Sequence, residues 1–183
     1  GIGSNIFPNV PRYNTDGGNW LRKLDIDDKT PLVQIQMIEK FVKQTISETD
    51  GDSDDFADTR KIWKKRLASE TGLNRMVMQL IDAAEIPYNV YLCSDKNYIQ
   101  IDKYFPFTRG LDYILFYFPR EKVYMIPSND FYYVSSTVPN FLAESNAIIV
   151  RSSNPEKVGN IIELPNAEKE YNVDATKSVI SID

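Results

Sequence analysis

The 183-residue sequence contains no histidine and a single cysteine, Cys93. Without imidazole, every His-dependent acid–base mechanism and every imidazole-ligated metal site is excluded. A lone thiol can form neither an intrachain disulfide nor a thiolate-rich metal cluster. Long apolar runs are also missing: none approaches the roughly 18–20 residues that a membrane-crossing helix needs. Positive charge is in the minority, with 21 Lys and Arg against 26 Asp and Glu, a net −5. A nucleic-acid surface needs clustered cations to neutralise phosphates, so no nucleic-acid partner is expected. The one basic cluster, Arg60-Lys61 with Lys64-Lys65-Arg66, falls on a predicted helix and reads as a solvated face. No cofactor is implied.

What is present is the composition of a folded domain, 42% hydrophobic and 12% aromatic, too apolar for a disordered tail. The length suits one core with a small appendage. The chain opens at Gly1 without methionine, basic segment or signal-like apolar stretch. That start reads as a segment trimmed of a leader or an upstream domain, with an exported source, periplasm or cell envelope, as the expectation.

Residues 1–29 read as an irregular lead-in, rich at first in Asn, Pro and Gly ("NVPRYNTDGGN"). A helix is predicted from Thr30-Pro31, with Thr30 as N-cap and Pro31 at the first helical position. Ile35, Ile38, Phe41, Val42 and Ile46 mark its buried face. In the acidic turn "ETDGDSDDFAD", Asp50, Asp52 and Asp54 mimic the start of a calcium loop. Asp55 then stands where glycine is wanted, and Lys61 where a bidentate Glu is wanted. Ser53 is better read as the cap of a second helix, with Asp54 and Asp55 in its first turn and Phe56, Trp63 and Leu67 toward the core. A third helix is predicted from about Gly72 to Ala84, ended by Pro87.

Beyond Pro87 the pattern turns to strands: "YNVYLC", "NYIQID", a hairpin of Leu111–Phe118 and Val123–Ile126 around Pro119-Arg120-Glu121, and "AIIV" at Ala147–Val150. On the first hairpin strand, one alternating set must enter the core, either Leu111, Tyr113, Leu115 and Tyr117 or Asp112, Ile114, Phe116 and Phe118. Helices first and sheet second make an α+β domain, N-terminal helices followed by an antiparallel β-sheet. It is bounded at residues 30–152, with residues 153–183 ("NIIELP", "KSVISID") as a C-terminal β extension or the start of a further β domain.

Four stretches in order, "ETGLNRMVMQLIDAAEIPYNVYL", "LDYILFYFP", "YMIPSND" and "VPNFLAESNAIIV", carry a resemblance. Over Leu67 to Val150 the chain resembles the catalytic half of a transglutaminase-like domain, the papain-type cysteine-protease fold, in the form found in Bacteroides-type bacteria. There a helix headed by the nucleophilic cysteine ends in a Gly-Ile-Pro-like step. A strand "F-N-H-V-I-x-Y-x-P", then "Y-L-D-P-T-D", then "A-L-I-I" follow. Laid on that pattern, the cysteine position falls at Glu70, the histidine on Tyr113 and the aspartate on Ile126.

The resemblance therefore implies a degenerate triad and a pseudoenzyme. A carboxylate at a helix N-terminus is held ionised by the dipole and is a poor acyl-transfer nucleophile. Tyrosine, titrating near ~10, is a poor general base at neutral pH, and isoleucine orients nothing. Cys93 lies on a strand, and its expected role is a small buried apolar residue. Glu70, Asp112 and Asp130 are the candidates for a carboxylate-pair enzyme, but nothing in the sequence sets their separation. The function implied is a non-catalytic binding or scaffolding module, flanked by other domains of a longer chain. It would offer a protein or glycan ligand a tyrosine-bearing cleft around Glu70, Asp112, Tyr113 and Asp130. The alternative is a hydrolase or acyltransferase with altered, histidine-free chemistry.

Overall fold

The computed structural model describes residues 15–51, 53–97 and 113–167. Four helices come first: α1 (Thr15–Leu24), α2 (Pro31–Thr45), α3 (Thr59–Lys65) and α4 (Glu70–Ala83). Two short strands, β1 (Ser47–Glu48) and β2 (Leu67–Ala68), lie among them, and five more follow: β3 (Asn89–Cys93), β4 (Tyr113–Phe118), β5 (Val123–Met125), β6 (Asn146–Arg151) and β7 (Ile161–Glu163). The architecture is mixed α+β, with N-terminal helices and a later antiparallel sheet. Among the described residues no helix is long and apolar enough to cross a membrane.

The lead-in expected to be irregular holds α1. The Gly17-Gly18 pair reads as a helix breaker, but packing overrides that propensity. A Cβ on Gly17 would lie 2.9 Å from the carbonyl oxygen of Gln79, so glycine lets α1 approach the backbone of α4. Leu21 is buried, and Trp20 stacks on Trp63 of α3 at 4.0 Å. Helix α2 begins where Thr30-Pro31 predicts, although Thr30 makes no side-chain capping bond. Ile35, Ile38 and Val42 form its buried stripe.

The next helix starts later than expected. Ser53 accepts the Asp55 N–H but heads only a 3-10 turn, Asp54–Phe56. The α3 cap is Asp58, which accepts from Arg60 and Lys61. Asp55 instead pairs with Lys61 at 2.5 Å and Lys65 at 2.8 Å. Helix α4 is capped by Ser69, which accepts the Gly72 N–H at 3.2 Å. The 3-10 turn crosses so close that a Cβ on Gly72 would fall 2.0 Å from the Phe56 oxygen.

The five-stranded sheet has the order β5-β4-β3-β6-β7, every pairing antiparallel. Strand β7, from the expected C-terminal extension, forms its edge against β6. The "NYIQID" segment after Asn97 and the "KSVISID" segment fall at residues outside the described ones. On one face Val90, Leu92, Ile114, Phe116, Phe118 and Met125 share a core with helical Leu73, Met76, Leu80 and Ile81. On the other, Tyr91, Cys93, Leu115, Tyr124, Ile126 and Ile149 pack under Val138, Leu142 and Leu164. Both alternating sets of β4 are therefore covered, where the sequence led us to expect one. A sheet buried on both sides loses the polar half of its alternation, as the five buried residues of β3 show.

Candidate functional site

Two neighbouring features stand out where α4 begins, at the open end of the β4–β5 hairpin. The first is a group of carboxylates. Glu70 opens α4, and its Oε1 accepts a hydrogen bond from Ser128 Oγ at 3.1 Å. Ser128 belongs to the turn after β5, closed by the Asn129 N–H on the Ile126 carbonyl. Glu48, at the end of β1, has its carboxyl pKa raised, first by desolvation and then by repulsion from Glu70, Asp130 and Asp50. Among the described residues no group of three or more acidic or thiol side chains is arranged to hold a metal ion.

The second feature is an aromatic cleft of about 530 Å³, lined in part by Asn129, Phe131, Tyr132, Tyr133, Val138 and Phe141. Its rim is an ordered loop. Asn129 Oδ1 accepts the N–H groups of Phe131 (2.9 Å) and Tyr132 (3.0 Å), an Asx turn that fixes the tip. Asp130 stands at that tip, and Phe131 beside it is 98% exposed.

A buried ion pair anchors the same loop from below. On α2, Lys43 Nζ lies 2.9 Å from Glu39 Oε1, the two side chains being 6% and 3% exposed. Glu39 Oε2 accepts the Val134 N–H at 2.8 Å. Lys43 donates to the Asn129 carbonyl at 2.7 Å and to that of Tyr132, and sits 4.5 Å from the centre of the Tyr133 ring. Burial raises the pKa of Glu39, against the lowering effects of Val134 and Lys43. Burial likewise raises that of Tyr132, whose hydroxyl donates to the Thr137 carbonyl at 2.6 Å.

The residues picked out by the sequence fall as follows. Glu70 and Asp130 come together in the acidic group. Ile126 is fully buried in the core on the sheet face away from α4, and Tyr113 packs against that core with its ring 4.8 Å from Phe141. Both sit at the hairpin end that Glu70 meets, yet Glu70 reaches it through Ser128. Asp112 lies outside the described residues. Cys93 is buried in that same far core, and desolvation pushes its thiol pKa well up, which disfavours the thiolate needed for nucleophilic chemistry. Of the basic cluster, Arg66 is not simply solvated: its guanidinium lies 4.5 Å from the Trp20 ring.

Glu48, Ser128 and the Glu39–Lys43 pair escaped the sequence reading. One signal was available: Glu39 stands four residues after Ile35 and three before Val42, on the apolar stripe itself. A charge at that spacing calls for a buried partner.

No protein-family model, no curated protein and no solved structure matches the chain.

Proposed function

We propose that this chain is a non-catalytic binding or scaffolding domain of transglutaminase-like, papain-type fold. The observation that carries the binding role is the aromatic cleft with its rim held in place and Phe131 almost wholly exposed. Tyr133 is exposed on the same loop, and adjoining exposed rings, more than one ring alone, are the kind of surface that marks an interaction site. The family reading is supported by α4 meeting the end of the β4–β5 hairpin with a carboxylate at its head, through the Glu70–Ser128 bond. It places glutamate, tyrosine and isoleucine at the three catalytic positions, and none of these supplies a nucleophile–base pair. Tyr113 and Ile126 face away from α4, which counts against that alignment of the hairpin and leaves Glu70 as the position that supports it.

The test pairs two measurements on the purified protein. Generic peptide-amide and ester substrates should show no turnover above background. Titration with a panel of peptides and oligosaccharides, followed by calorimetry, should detect a ligand whose binding is lost in Phe131→Ala. Turnover abolished by Glu70→Gln would overturn the reading.

A second reading, a hydrolase using carboxylates, is favoured by one observation: the raised pKa of Glu48 beside Glu70 and Asp130. A carboxyl held protonated more readily than usual beside other carboxylates is a candidate general acid in such enzymes. That reading predicts that Glu48→Gln abolishes turnover of a glycoside or ester while the fold is retained.

A further inference from the structure

We propose that the partner of the aromatic cleft is a cationic polypeptide segment, one that carries Lys or Arg side chains among apolar ones. This rests on the binding-module reading and assigns the ligand's chemistry. Three observations favour it.

Among the described residues, the charge at the Asn129–Phe131 side of the rim is negative. Asp130 stands between two cleft residues, Asn129 and Phe131, and Glu48 lies near enough to Asp130, Glu70 and Asp50 to be perturbed by all three. Mutual repulsion among carboxylates is relieved by a cation brought among them. Lys43, which bonds the Asn129 carbonyl of that rim, does not offset this charge, because it is buried against Glu39. The exposed lysine by the cleft is Lys96, beside the lining residue Phe141 and not beside Asp130. An anionic partner would meet repulsion here.

The aromatic surface suits the same ligand. Lys43 already occupies the region over the Tyr133 ring, 4.5 Å from its centre. Phe131, 98% exposed, offers its ring faces to an incoming ammonium or guanidinium group, an attraction that persists at exposed sites. The same ring gives apolar side chains a surface to cover.

Much of the cleft's polar lining is already engaged within the protein, which favours a ligand held by charge and ring surface over a sugar. Tyr132 Oη is committed to the Thr137 carbonyl, Ser135 Oγ and Thr137 Oγ1 bond each other at 3.0 Å, and Asn129 Oδ1 holds two backbone N–H groups. A hydroxyl-rich glycan needs its polar groups matched as it leaves water; these four groups are already engaged, and the Tyr133 hydroxyl and Asn140 amide of the lining are left to meet it. A cationic, partly apolar peptide needs charge and ring surface, which are on offer. The loop's internal bonds also hold it in one shape, so little ordering is left for binding to impose.

The probes are a blocked hexapeptide alternating lysine and leucine, its counterpart with glutamate for lysine, and maltohexaose. Each is titrated calorimetrically into the full chain at low and at 300 mM salt. The lysine peptide should bind at low salt and weaken several-fold at high salt, as screening shortens the reach of exposed charges. Neither other probe should bind. Phe131→Ala, and separately Asp130→Asn with Glu48→Gln, should weaken the lysine peptide about tenfold, the effect of losing an anchor residue. Glu156→Gln, on an exposed turn elsewhere, should change nothing. All these side chains are exposed, so the variants should fold, and circular dichroism checks it.

Equal binding of the lysine peptide to Phe131→Ala would overturn the proposal, showing only adhesion to a net negative surface. Binding of the glutamate peptide or of maltohexaose, lost in Phe131→Ala, would also overturn it while the cleft kept its role as a binding site. Failure of all three probes on the wild-type protein would overturn the cationic assignment. The binding-module reading itself fails separately, by turnover that Glu70→Gln abolishes.

Discussion

Removing Lys43 should cost more stability than any exposed change of equal size, and the cost should depend on pH. Its side chain is 6% exposed, and its ammonium lies 2.9 Å from the carboxylate of Glu39, a side chain 3% exposed. In Lys43→Met the stem is replaced by a side chain of similar length, while Glu39 stays buried with only the Val134 N–H. Breaking a buried pair from one side costs about 3–5 kcal/mol, a large share of the ~5–15 kcal/mol that holds a domain together. Glu39 can escape by taking up a proton. Its pKa in the fold already lies above the ordinary glutamate value because of desolvation, and without Lys43 it rises further. A group with a raised folded pKa binds more protons folded than unfolded, so stability falls as pH rises through the window from about 4.3 upward. The deficit of Lys43→Met should thus be largest at pH 7 and shrink toward pH 5. Urea unfolding at both pH values, followed by far-UV circular dichroism, measures it. The double variant Lys43→Met with Glu39→Leu should recover most of the loss, since an apolar pair carries no desolvation cost. A loss below about 1 kcal/mol at pH 7, or one that is flat with pH, would refute a buried charged pair here.

Two further outcomes follow from the packing. Cys93 is fully buried, so Ellman's reagent should leave it unmodified in native buffer and titrate one thiol in urea; rapid native reaction would mean the far core is not closed. The two glycine positions in α4 and α1 should respond oppositely: Gly72→Ala meets the Phe56 oxygen at 2.0 Å and should cost more than about 2 kcal/mol by thermal unfolding. Gly18→Ala meets nothing within 4 Å and should gain ~0.5–1 kcal/mol.

Helices α2 and α4 were legible because their apolar residues recur at helical spacing and because Thr30-Pro31 and Pro87 punctuate them. Helix α1 was hidden by Gly17-Gly18; Gly17 is glycine because of its contact with α4, some sixty residues away in the chain, and Gly18 meets nothing. The β1–β2 ladder pairs Ser47 with Leu67 and Glu48 with Ala68, too few residues to show a period. The β4–β5 hairpin was readable as an element, but its facing was not: with apolar residues on both sides of the sheet, no polar set marks an outside. The order of motifs therefore led to Tyr113 and Ile126 without telling that they turn away from α4. Glu70 could be read as a carboxylate at a helix start. Its meeting with Ser128, across 58 positions, and with Glu48 depends on how separate elements dock, which local pattern does not encode.

The bridge between Tyr124 and Ser135, with bonds of 2.7 and 3.2 Å, gives the segment behind Phe131 a second duty. It shields the outer border of β5, which would otherwise offer unsatisfied amides to any passing chain. Side chains near the tip can thus vary to suit different partners at little structural cost. Changes around Ser135 would instead bare the sheet's flank and favour clumping, so adaptability and solubility reside at opposite ends of one short stretch.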